Sequence, residues 1–187
     1  MFARPGEGDS GARFGYRSGR DPPMSRFERT TDYWPLFVTL VPPQFSLADV
    51  DDYIAEVNAL YERRERFATL VETSATATTP GAAERKRLAD WQNETVDRIR
   101  AYNVFTATII RSPLIRGAMT AMNWVFRPPN DQVVVGSFEE AFDLCIAKLR
   151  VERPTLSDPL ERLVSSRPTS ARMLLDPAPV RGGARRR

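Results

Sequence analysis

Between residues 36 and 149, short apolar runs alternate with stretches whose apolar residues recur every three or four positions. The runs 36–41, 67–71, 104–110 and 132–135 are too short for helices and rich in β-branched or aromatic residues, which predicts buried strands. The intervening stretches predict helices. After Pro42 and Pro43 stop the first run, Ser46 stands as an N-cap with Asp49 in the box position. Leu47, Val50, Ile54, Val57 and Tyr61 then fall on one face. Pro80 suits the first turn of a second helix, with Leu88, Trp91, Thr95, Ile99 and Tyr102 inward. Ser112 and Pro113 open a third helix, reaching about Phe126. Ser137, with Glu140 in the box position, opens a fourth, with Phe138, Ala141, Phe142, Cys145 and Leu149 inward.

Strands that alternate with helices need parallel crossovers, and continuous apolar strands fit burial on both faces. The fold class expected is therefore α/β. It has a single sheet of four or five mostly parallel strands with alternating helices, the fifth an edge strand within residues 27–34. Residues 1–26 are rich in Gly, Arg, Pro and Ser and lack periodicity, so they are expected to be disordered. The α/β domain is placed at 27–150. A second disordered, Pro- and Arg-rich tail is placed at 151–187, with Leu160, Leu163, Met173, Leu174 and Leu175 available for short docking turns. Met24 opens the more ordinary sequence and is a candidate start.

Composition changes this picture mainly by subtraction. No apolar run is long enough to span a bilayer, and residues 1–6 lack the apolar centre of a secretory signal. A single cysteine fits a reducing compartment, so the chain is expected to be cytoplasmic. The net charge of +3 reflects arginines gathered near the two ends, so nucleic acid is not expected as a partner. There is no histidine, which removes the commonest general base, nucleophile activator and metal ligand. There is also no Gly-rich phosphate loop. Asp49, Asp51, Asp52 and Glu56 read as complements to a helix dipole, and Cys145 as an inert thiol on an apolar stripe. No catalytic residue, cofactor or metal ligand is assigned, and a non-enzymatic protein is expected.

Two segments rise above this background. Residues 73–79 form a Thr/Ser loop between a strand and a helix start, where a phosphoryl group on Ser74, Thr76, Thr78 or Thr79 would be favoured. Residues 112–126 are apolar around most of a helix, although packing on one side of a sheet needs only one stripe. Arg116, Met119, Asn123, Trp124 and Phe126 are the candidate partner-binding residues. The surplus apolar surface suits deeper burial, a protein partner, a second copy of the chain, or an anionic membrane surface beside Arg111, Arg116 and Arg127.

The order of elements from Phe27 to Arg150 resembles the SpoIIAA-like, or STAS-like, superfamily. So does the run Arg111-Ser112-Pro113-Leu114-Ile115-Arg116-Gly117 entering an apolar helix with Trp124, followed by a Pro-rich turn, a strand and Ser137-Phe138-Glu139-Glu140-Ala141. The likeness is to bacterial members. It implies a regulatory binding module, switched in some members by phosphorylation of a Ser or Thr in an Asp-Ser-Ser/Thr-Gly motif. The comparable junction here is Glu72-Thr73-Ser74-Ala75, without the aspartate and glycine. The expected function is a regulatory or scaffolding module that binds a protein, with control by Ser/Thr phosphorylation. The alternatives are a lipid or membrane-surface module, and an enzyme using carboxylates and arginines. Arg111 or Arg116 meeting Glu72 in a cleft would favour that last reading.

Overall fold

A computed structural model describes residues 26–73, 80–113, 116–117 and 128–176. Its strands are β1 (Glu28–Thr30), β2 (Leu36–Val41), β3 (Phe67–Thr73), β4 (Asn103–Ile109) and β5 (Gln132–Val135). Its helices are α1 (Leu47–Glu62), α2 (Ala82–Glu94), α3 (Val96–Tyr102), α4 (Phe138–Glu152), α5 (Asp158–Ser166) and α6 (Ala171–Leu175). The strands form one sheet in the order β1-β2-β3-β4-β5. β1 runs antiparallel to β2, and every later pair is parallel. The architecture is thus α/β with a five-stranded mixed sheet, as the alternation predicts.

Both faces of the sheet are buried, which explains the unbroken apolar strands. On one face, Phe37 and Phe67 pack with Val50, Ile54, Val57, Leu60 and Tyr61 of α1, Trp91 of α2 and Ile99 of α3. On the other, Leu36, Val38, Ala68, Leu70, Phe105, Ala107 and Ile109 meet Phe138, Ala141, Phe142, Cys145, Ile146 and Leu149 of α4. Burial pushes the Cys145 thiol up to about 12, so it stays protonated and inert at neutral pH.

Three differences from the sequence reading have physical causes. The expected helix from Pro80 to Tyr102 is broken at Thr95. That β-branched residue donates its hydroxyl to the Trp91 carbonyl at 2.7 Å, competing with the helical ladder. Leu47 opens α1 but is largely exposed, and Leu60 takes its place inside. The domain boundary expected at 150 also falls too early. Residues 151–176 complete α4 and form α5 and α6, and Leu156, Leu160, Leu163, Ala171 and Leu174 are buried in the α4 face of the core. Leucines at 156, 160 and 163 keep helical spacing, and that spacing outweighs the Pro- and Ser-rich composition around them. The segment is also tied to the turn before β2, because Ser157 Oγ donates to the Trp34 carbonyl at 2.7 Å.

The Ser46 cap of α1 forms as expected. Ser46 Oγ and its backbone N–H donate to Asp49 Oδ2 at 2.6 and 2.8 Å, and Asp49 N–H donates to Ser46 Oγ at 3.3 Å. The Ser46 hydroxyl first, and its N–H second, hold the Asp49 carboxyl below its ordinary 3.8. Ser46→Ala is expected to cost about 1 kcal/mol at neutral pH. A depressed carboxyl contributes stability above its unfolded value and loses it as pH falls through the lower, folded value. Urea unfolding of the two proteins should therefore converge in acid. A gap that widened there would contradict this account of the cap.

Candidate functional site

β2, β3 and β4 are parallel neighbours, so their carboxyl ends lie at one edge of the sheet, where open α/β sheets hold ligands. β2 leaves this edge through Pro42 and Pro43. β3 leaves it after Thr73, and β4 after Ile109. Thr73 Oγ1 donates to the Ile109 carbonyl at 2.8 Å, fastening the last two ends together.

Glu72 is the unusual residue at this edge. Side chains alternate along a strand, so it continues the row of Ala68 and Leu70 on the α4 face. A carboxylate in that row needs compensation, and it is 4 % exposed. Its Oε1 accepts from Arg111 Nη2, the first side chain beyond Ile110. Its Oε2 accepts the backbone N–H of Ala171 at 2.8 Å, at the start of α6. Each oxygen therefore accepts a hydrogen bond from the fold itself.

Around this pair lies a cleft of about 350 Å³. Among the described residues, Glu72, Thr73, Arg111, Leu40, Val41, Pro42 and Pro43 line it. Arg26, Glu28 and Arg172 complete it, with Arg172 paired to Glu28 and Arg26 reaching Asp52 at 3.7 Å. Among the described residues, no group of histidine, cysteine or acidic side chains is arranged to hold a metal. No helix among them is long and apolar enough to cross a membrane.

Of the candidate partner-binding residues, Arg116 is half-buried and turned inward. Its Nη1 donates to the Ile110 carbonyl at 3.1 Å and lies 2.8 Å from where a Cβ on Gly136 would stand. Arg116 thus binds the backbone just beyond β4 and passes close to Gly136, just beyond β5. Its backbone N–H returns to the Ser112 carbonyl at 2.9 Å, the expected first turn of a helix. Met119, Asn123, Trp124 and Phe126 lie outside the described residues, as do Ser74, Thr76, Thr78 and Thr79.

The structure brings Glu72 and Arg111 together, the meeting named above as the mark of carboxylate/arginine chemistry. The sequence reading did not foresee Arg26, Glu28 or Arg172 beside them. Arg26 and Arg172 fell in segments assigned to disorder. One signal was present: with strand alternation, Glu72 had to share the buried row of Ala68 and Leu70 and find a cation there. Compared with known proteins, the chain matches no family model, no curated protein and no solved structure.

Proposed function

We propose that the chain is a non-enzymatic, cytoplasmic regulatory or scaffolding module of STAS-like fold that binds a partner protein. Control by phosphorylation within residues 74–79 is part of this reading. One observation supports it most. β3 and β4 end side by side, clasped by the Thr73–Ile109 hydrogen bond, so residues 74–79 and 112–126 both start from the same sheet edge. The pairing of Arg111 with Glu72 at the cleft is the observation that favours the alternative reading, an enzyme using carboxylates and arginines.

The test is affinity purification of the tagged full-length chain from its host, in parallel with Trp124→Ala and Met119→Asp. The expected result is a protein retained by the parent and reduced about tenfold or more by both variants, with melting temperatures within a few degrees of the parent. Mass spectrometry of the recovered chain should find phosphate between Ser74 and Thr79. If both variants aggregate, the apolar helix is core. If they keep the same proteins, it is not the interface. Either result removes the proposal.

A further inference from the structure

We draw no further inference here: the strongest candidate, the cleft at the carboxyl ends of β2 and β3 with Arg26, Arg111 and Arg172 in its lining, carries none, because each of these guanidinium groups is already paired with a carboxylate of the chain, those of Asp52, Glu72 and Glu28 in turn.

Discussion

A chain ended at Arg153 is expected to lose its cooperative fold. The deletion removes Leu156, Leu160, Leu163, Ala171 and Leu174 from the core and leaves Leu36, Val38, Ala68 and Leu70 without part of their cover. Full burial of one leucine contributes about 1.5–3 kcal/mol. The net stability of a whole domain is only about 5–15 kcal/mol. Release from ordering offsets part of the loss, but the uncovered sheet face remains and favours association. The shortened protein should show a broad or absent thermal transition and should aggregate. Leu160→Ala, within the intact chain, should cost about 3 kcal/mol in urea, because that side chain is fully buried. A truncated protein that unfolded as sharply as the parent, at the same urea midpoint, would mean that α5 and α6 are ornaments on a domain complete without them.

The second large effect is expected at Glu72. Glu72→Ala removes the acceptor for a buried backbone N–H and the partner of Arg111 together. An unsatisfied buried N–H costs about 1–3 kcal/mol, and a bond to a charged group contributes about 1.5–3 kcal/mol. Arg111 is half exposed, so its share falls toward the lower end. A total of about 2–4 kcal/mol is expected. Glu72→Gln is the discriminating variant. Its amide oxygen can still accept from Ala171, so it should lose only about 1 kcal/mol. Urea midpoints should fall in the order parent, Gln, Ala. Hydrogen exchange at Ala171 should accelerate in the alanine variant and much less in the glutamine variant. Equal and small losses for both would show that Glu72 does not hold α6.

Much of this fold was legible before any coordinates. The runs at 36–41 and 132–135 are β2 and β5 residue for residue, and the Ser46 cap carries both halves of its box. These features depend on local spacing and on side chains that act within a turn of their own backbone. What was missed depends on distance along the chain. The burial of Leu160 and Leu174 requires a sheet face wide enough to extend beyond α4, and no local window contains that fact. The cleft is the same case. Glu72 announced a buried charge through strand alternation, but its partners come from positions 111 and 171, and Arg172 pairs with Glu28 from the far end of the domain. The apolar helix at 112–126, the boldest signal in the sequence, lies beyond its first turn outside the described residues.

The late placement of α5 and α6 has a consequence for biosynthesis. Leu36 and Val38 are among the first core residues to be translated, and Leu160 and Leu174 among the last, yet they belong to one apolar cluster. During elongation the sheet face bearing Leu36 and Val38 must therefore remain incompletely covered until residues beyond 174 have emerged. Chains grow at about 5–20 residues per second, so this exposure lasts for seconds rather than microseconds. The nascent protein should be a client of holding chaperones through that interval, and synonymous changes that slow translation across residues 140–170 should lower its soluble yield.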